Sequence, residues 1–409
     1  MYKRIHKTNQ FYMAKSPLEA FAKFNDLLEK RVKATVELKG FADISEYIST
    51  GNYLLNAQLS GSLFGGFPNT RSIGIAGDPG SGKTFLCMNA VRELQNMGYF
   101  VFYIDTEGAI DSIDFPKFGA NLDQLKYYRM KLITDVKFFV DGLVKQKKES
   151  SELKIALFVD SIGLLNSDKE VGDFEKGKSV SDMGLKAKDL RAMFRSFTLD
   201  LSNERIPFIF TNHTYSGTDV YSGKTPGGGG GPEFAASIIL MLSKGTLKDE
   251  NKTATGIIVR SRTRKNRLAR PIEIEFHISH QKGMNPYVGL QDYISWEACG
   301  VGRGKKLTEK EFSKLKPDDQ SDCVQFEVGG GTFYFKPGKL AQNYILRHNG
   351  DEVPVKQFFT SRLFTDTVLH ELDKRVIKPT FKYPETIDAL MEEESEEILA
   401  DEKEVGDEL

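Results

Sequence analysis

Gly77-Asp78-Pro79-Gly80-Ser81-Gly82-Lys83-Thr84 is the stretch on which the reading of this chain turns. It satisfies G-x-x-x-x-G-K-[ST], with a short apolar run (73–76) before it and a helical pattern (85–97, closed by Gly98) after it. The glycines let the backbone curl so that successive N–H groups point inward at a phosphate, and the helix N-terminus adds positive potential. Lys83 is expected to reach the β- and γ-phosphates and the Thr84 hydroxyl to ligate Mg²⁺, with Phe85 next to the nucleotide. Ser222-Gly223-Lys224-Thr225 imitates the end of this motif, but Thr218 stands where the leading glycine belongs.

Working outward, residues 153–159 form an apolar strand ending in Asp160-Ser161, the form of a Walker B segment whose carboxylate serves the Mg²⁺ shell. Another strand, 99–105, ends in Asp105-Thr106-Glu107. Glu107 is thereby placed at the carboxyl edge of a sheet, where α/β folds bind ligands. From the residues alone it is equally a base for an attacking water or a surface or capping carboxylate.

Further apolar runs at 207–211, 238–242 and 257–259 alternate with helical patterns. Runs apolar on both faces predict an α/β core with a mostly parallel sheet covered on each side. Residues 272–278 alternate strictly instead, as expected of a strand with one wet face near the sheet edge. Ahead of the core a helix is predicted over 16–32, with Ser16 as cap and Glu19 completing a capping box. Past Trp296 the pattern gives way to Gly- and Lys-rich turns, a β-like piece at 323–335 and a helical stretch at 358–376.

The chain has 409 residues, 40% hydrophobic and 28% charged, which suits a folded protein with an ample core and excludes collagenous or low-complexity classes. No run reaches the length of a membrane span, and the N-terminus lacks the apolar stretch of a secretory signal, so a cytoplasmic location is expected. Three scattered cysteines fit a reducing compartment. The net charge of −1 hides an asymmetry: residues 385–409 hold twelve acidic residues against Lys403, a charge of −11 that leaves +10 on the rest. A basic body with an acidic tail suggests a nucleic-acid surface joined to an interaction segment.

Taken together, Ser49-Thr50-Gly51, the 77–84 loop, Asp105-Thr106-Glu107, Phe158-Val159-Asp160-Ser161, Phe210-Thr211-Asn212-His213-Thr214-Tyr215, the glycine run 227–231 with Pro232, and Arg260-Ser261-Arg262 resemble the RecA-type recombinases, in particular the phage branch typified by UvsX. The likeness covers about residues 45–295 in consistent order. It implies a RecA-like P-loop ATPase core at 45–296, flanked by an N-terminal arm at 1–44 that contacts the next subunit. A C-terminal domain at 297–384 and a disordered acidic tail at 385–409 complete the expected organisation.

The resemblance also implies roles. Glu107 becomes the catalytic carboxylate and His213 the sensor of the γ-phosphate; Asp160 and Thr84 serve the metal. Asp111 contacts the adenine, although the tyrosine often used to stack the base is replaced by Asp114. Arg260 and Arg262, two apart on one strand face, match the paired cations that reach a neighbour's triphosphate. Two loops, 166–182 with Lys169, Lys176 and Lys178, and 214–232 with Tyr221, Lys224, Gly227, Gly228 and Gly229, are the expected DNA-binding elements. Residues 11–14 (Phe-Tyr-Met-Ala) fit an F-x-x-A docking pattern.

The implied activity is ATP-dependent strand exchange by filaments on single-stranded DNA. Homologous duplex, further copies of the chain, a recombination mediator and a single-strand-binding protein are the implied partners, and no membrane is. A ring-forming replicative helicase and a non-hydrolysing paralogue are the rival readings.

Overall fold

The computed structural model describes residues 43–177, 183–215, 224–337, 344–347, 352–354 and 359–383. The chain divides into two units, Met1–Asp43 and Ile44–Leu409, and apart from Asp43 the described residues belong to the second. The expected arm helix at 16–32, the tetrapeptide at 11–14, the acidic tail, Lys178 and Tyr221 lie outside the described residues.

Two short strands, β1 (Tyr47–Ile48) and β2 (Phe67–Pro68), pair antiparallel ahead of the main sheet. The main sheet is built from β3 (Ser72–Gly77), β4 (Phe100–Asp105), β5 (Leu125–Arg129), β6 (Ile155–Asp160), β7 (Phe208–Tyr215), β8 (Thr225–Pro226), β9 (Ile238–Lys248), β10 (Ala254–Asn266), β11 (Glu273–Ser279) and β12 (Gly283–Met284). Its order is β12-β11-β10-β9-β3-β7-β6-β4-β5, with β8 attached to β7. From β9 through β5 the neighbours run parallel, and β9 to β12 continue antiparallel.

Every residue of β3 and β6 is buried, because each face of these strands meets helices. Ala156 and Phe158 belong to one core with helices Tyr53–Ser60 and Lys83–Asn96; Leu157 and Val159 belong to the other with helices Ile133–Glu149 and Met183–Asn203. Each such large side chain contributes roughly 1.5–3 kcal/mol by leaving water. β11 alternates buried and half-exposed residues, as its sequence led us to expect. β5, by contrast, reads Leu-Lys-Tyr-Tyr-Arg and carries no apolar run to announce it.

A second, antiparallel sheet follows: β13 (Val301–Thr308), β14 (Val324–Val328), β15 (Gly331–Pro337), β16 (Tyr344–Arg347) and β17 (Glu352–Pro354), in the order β14-β15-β13-β16-β17. The β-like piece expected at 323–335 is the hairpin β14–β15, which turns through Gly329 and Gly330 at φ of 60° and 79°. β13 escaped the sequence reading because Gly302, Gly304 and two lysines interrupt its pattern. The C-terminal helix begins later than expected, at Asp366–Leu372, where the Thr365 side chain accepts the Val368 N–H. Val368, Leu369, Leu372, Ile377 and Phe381 then join the core that holds helix Tyr53–Ser60.

Register decides where the site lies. Gly77 stands opposite His213, and Asp105 opposite Asp160. The four strand ends that carry the candidate residues therefore meet at one carboxyl edge.

Candidate functional site

β3 delivers the loop 78–82 into helix Lys83–Asn96, whose N-cap is Gly82 at φ of 95°. A Cβ there would be strained by the left-handed backbone and would sit 2.9 Å from Ile278 Cδ1, so glycine is required twice over. Lys83 Nζ donates to the loop's own carbonyls at Gly77 (3.0 Å) and Asp78 (3.1 Å). Burial holds the Lys83 ammonium below its ordinary lysine range, against the pull of Asp160, Glu107 and Asp78. A poorly hydrated cation inside a ring of amides is a strong partner for an incoming phosphate.

Asp160 is buried at the end of β6 and accepts three hydroxyls. Thr84 Oγ1 and Tyr103 OH each reach Oδ2 at 2.8 Å, and Thr211 Oγ1 bonds Oδ1. Burial, together with the charge of Asp160, pushes the Cys87 thiol and the Tyr103 hydroxyl well above their usual ranges, which keeps both neutral. Tyr103 and Thr211 were missed as partners; their signal was a hydroxyl-bearing residue following the apolar run of each strand, near the carboxyl end.

Glu107 follows β4 and His213 sits near the end of β7, with β6 between those strands. The two side chains meet over that gap, His213 Nε2 to Glu107 Oε1 at 2.9 Å. Glu107 is thus a partly exposed carboxylate held at the mouth of the phosphate loop and paired with the predicted sensor.

Among the described residues no cluster of three or more His, Cys, Asp or Glu could hold a metal. Asp160 and Thr84 nevertheless form an all-oxygen pair, which fits Mg²⁺, an ion that completes its shell from phosphates and water.

The model of the RecA N-terminal domain matches residues 31–285. The chain belongs to the RecA family. It is 31% identical to Protein RecA of Mycoplasmopsis pulmonis over 250 residues, 60% of this chain and 70% of that protein. Over 282 residues it is 31% identical to Protein RecA of Desulforapulum autotrophicum, covering 65% and 78% of the two chains. It is also 28% identical to the recombination and repair protein of Enterobacteria phage T4 over 282 residues, 66% of this chain and 70% of that one. The protein is a RecA-type recombinase, and neither rival reading is favoured. RecA-family recombinases bind DNA, form filaments and depend on ATP. Among the described residues no helix is long and apolar enough to cross a membrane.

Phe85, expected next to the nucleotide, and Asp111, expected at the adenine, fall beside different cavities of this RecA-family site. Phe85 lines one of about 430 Å³ together with Arg92, Phe118, His280 and Gln281. Asp111 lines another, of about 340 Å³, with Ile110, Phe115, Tyr127 and Arg129. Asp114 accepts the Asp111 N–H (2.9 Å) and pairs with Lys117 (3.0 Å), which together hold its carboxyl below the ordinary range.

The described parts of the expected DNA loops, 166–177 and 214–215 with 224–232, hold more regular structure than their composition suggested. Within 166–182 lies the helix Asp168–Glu175, closed by a capping box between Ser167 and Glu170; Lys169 is exposed on it and Lys176 ends it. Within 214–232, β8 pairs Thr214 with Pro226 and Tyr215 with Thr225, and the Gly227 N–H donates to the His213 carbonyl at 3.0 Å. Residues 230–235 are helical, and a Cβ on Gly231 would lie 2.8 Å from the Arg191 backbone. The run from Gly227 through Gly229 into this helix is therefore shaped by close packing as well as by freedom. Lys224 forms an ion pair with Asp78 of the phosphate loop, and Thr214 Oγ1 bonds the same carboxylate at 2.7 Å.

On β10, Arg260, Arg262 and Arg264 are exposed and alternate with buried Ser261 and Thr263, so the expected common face exists. Arg260 pairs with Glu275 at 3.2 Å, and Arg264 with Glu233 at 2.7 Å. Lys265 donates to the carbonyls of Glu233 and Phe234, tying the end of β10 to the helix after the second loop.

Proposed function

We propose that this RecA-type recombinase is a DNA-dependent ATPase that polymerises on single-stranded DNA and pairs it with homologous duplex. The observation that carries the proposal is the contact of Glu107 with His213 beside Lys83, Thr84 and Asp160. In this reading Lys83 and the loop amides bind the triphosphate, while Thr84 and Asp160 hold Mg²⁺. The ion would supply charge neutralisation across the phosphates. Glu107 orients and deprotonates the attacking water, and His213 donates to the γ-phosphate.

Arg260 and Arg262 are exposed on a strand whose far neighbours are the sheet edge, which suits a role across a subunit boundary. An arginine supplied in trans can be worth roughly 10³–10⁵ in rate. Lys169, Lys176, Lys178, Tyr221, Lys224 and residues 227–229 border the DNA, and the work is done with the DNA in the cytoplasm. A recombination mediator and a single-strand-binding protein complete the set of partners. The test is a strand-exchange or D-loop assay with and without ATP. ATP-dependent joint molecules are expected, and DNA unwinding by closed rings without pairing would overturn the reading.

A further inference from the structure

Glu107 is not held by its own neighbours in sequence alone. Asp105, two residues before it and 2% exposed, is engaged on both carboxylate oxygens. Oδ1 accepts the N–H groups of Glu107 (2.7 Å) and Gly108 (2.8 Å), and Oδ2 accepts the hydroxyl of Tyr127 (2.5 Å). Thr106, between them, is fastened in the other direction: its N–H donates to the Asp160 carbonyl (2.9 Å) and its hydroxyl to the Ser161 carbonyl (2.7 Å). The short turn that presents Glu107 is thus anchored to β6 on one side and, through Asp105 and Tyr127, to the edge strand β5 on the other.

Burial, reinforced by the Asp105 bond, raises the Tyr127 hydroxyl above the ordinary phenol range, so it stays a donor throughout the neutral region. Gly108, the second residue gripped by Asp105, has φ of 67° and nothing within 4 Å of a would-be Cβ. Packing does not fix the turn there; the hydrogen bonds do.

We propose that Tyr127 and Asp105 are positioning residues for ATP hydrolysis. Tyr127 fixes the orientation of the Asp105 carboxylate, and Asp105 fixes the backbone from which Glu107 reaches His213 and the attacking water. This rests on Glu107 being the water-activating carboxylate. A side chain misplaced by about 1 Å can cost 10²-fold in rate, and Tyr127→Phe, which removes one of three bonds in the chain, is expected to cost about a tenth of that.

The experiment measures single-stranded-DNA-dependent ATPase of the full chain for Tyr127→Phe, Asp105→Asn and Glu107→Gln. It adds melting temperature and assembly on DNA with a non-hydrolysable ATP analogue. Tyr127→Phe should lower kcat roughly tenfold with KM for ATP and assembly unchanged and melting lowered only modestly by the missing bond, and Asp105→Asn should lower kcat further. If Asp105→Asn fails to fold, Tyr127→Phe alone decides. Wild-type kcat in Tyr127→Phe alongside an inactive Glu107→Gln overturns the positioning role and leaves the reading of Glu107 standing. A drop in kcat accompanied by a large fall in melting and poorer assembly also overturns it, since that is a packing defect. Wild-type turnover by Glu107→Gln removes the reading of Glu107 and the proposal with it.

Discussion

The carboxylate of Glu107 and the imidazole of His213 lie 2.9 Å apart although their strands are not neighbours, β6 with Asp160 standing between them. In the proposed mechanism, a γ-phosphate competing for the His213 N–H would free Glu107 for water, and DNA gripping the loop that begins at Thr214 would pull on the same histidine. His213→Ala should therefore uncouple the two ligands. A coupling of about 1–3 kcal/mol corresponds to roughly 5- to 150-fold, and stimulation of ATPase by single-stranded DNA should fall by that factor, with ATP bound more weakly by the loss of one γ-phosphate hydrogen bond and ADP affinity little changed. Steady-state ATPase with and without oligonucleotide, together with fluorescent-nucleotide titration, checks this. Undiminished stimulation would detach His213 from the coupling.

Glu107→Gln keeps the size of the side chain and removes its basicity. General-base contributions are typically about 10²–10⁴-fold, so kcat should fall within that range while nucleotide binding and analogue-driven assembly on DNA persist. Single-turnover hydrolysis reads it directly. Loss of nucleotide binding in parallel would mean that Glu107 serves the ground state instead.

Lys83 gives a pH signature. Its pKa is lowered from the ordinary 10.5 by burial in the free protein, and a bound triphosphate favours the charged form. Binding thus takes up protons at alkaline pH, and ATP affinity should decline as pH rises through the lowered pKa, below the pH at which an exposed lysine titrates. The same sign means that the energetic cost of the buried charge to the nucleotide-free fold is relieved over that window. Calorimetric titrations in buffers of different ionisation enthalpy measure the uptake. Affinity that stays flat, with no proton uptake, as pH rises through the whole alkaline range up to the ordinary lysine pKa would count against a binding role for this amine.

The phosphate loop, the strand into Asp160 and the α/β class were legible because each depends on a local pattern: a glycine spacing, an apolar run, a helix signal. What the sequence hid depends on contacts between distant positions or on packing that overrides composition. β5 mixes lysine, two tyrosines and arginine after Leu125 and shows no apolar run, so the Tyr127 support for Asp105 was invisible. The helix Asp168–Glu175 could have been found, since Ser167 and Glu170 spell a capping box; its polarity made it look like a loop. The glycines at 227–231 were expected as part of a DNA-binding loop, and nothing in their sequence showed that a Cβ on Gly231 would meet the backbone of Arg191.

Asp373 illustrates the long-range class and makes a stability prediction. It is buried and accepts the Leu63 N–H (2.7 Å), the Ser62 hydroxyl (2.9 Å) and Lys378 Nζ (3.2 Å), joining the C-terminal helix to a turn 310 positions away. Asp373→Ala strands a buried N–H and should cost roughly 2–4 kcal/mol. Asp373→Asn, which keeps one acceptor for Leu63, should cost less. Urea unfolding followed by circular dichroism checks both, and equal midpoints for the two variants would refute the assignment of the Leu63 bond.

Lys224, expected on DNA, is held by Asp78 of the phosphate loop in this structure. The bonds from Lys224 and Thr214 lower the Asp78 pKa below its ordinary 3.8, so the link is intact at neutral pH and is lost only as pH falls through that lowered value. An internal carboxylate that occupies the ammonium competes with a DNA phosphate for it. Asp78→Asn should therefore add one phosphate contact to nucleotide-free DNA binding, steepening the slope of log K against log salt by about 0.7 for single strands. In Lys224→Ala the same Asp78→Asn change should leave the slope where it was. Anisotropy titrations over a salt series, repeated at pH 6 and 8, should give the same shift at both because Asp78 is ionised throughout. A steepened slope that persists without Lys224 would show that Asp78 repels DNA through the general field of the site and not through this lysine.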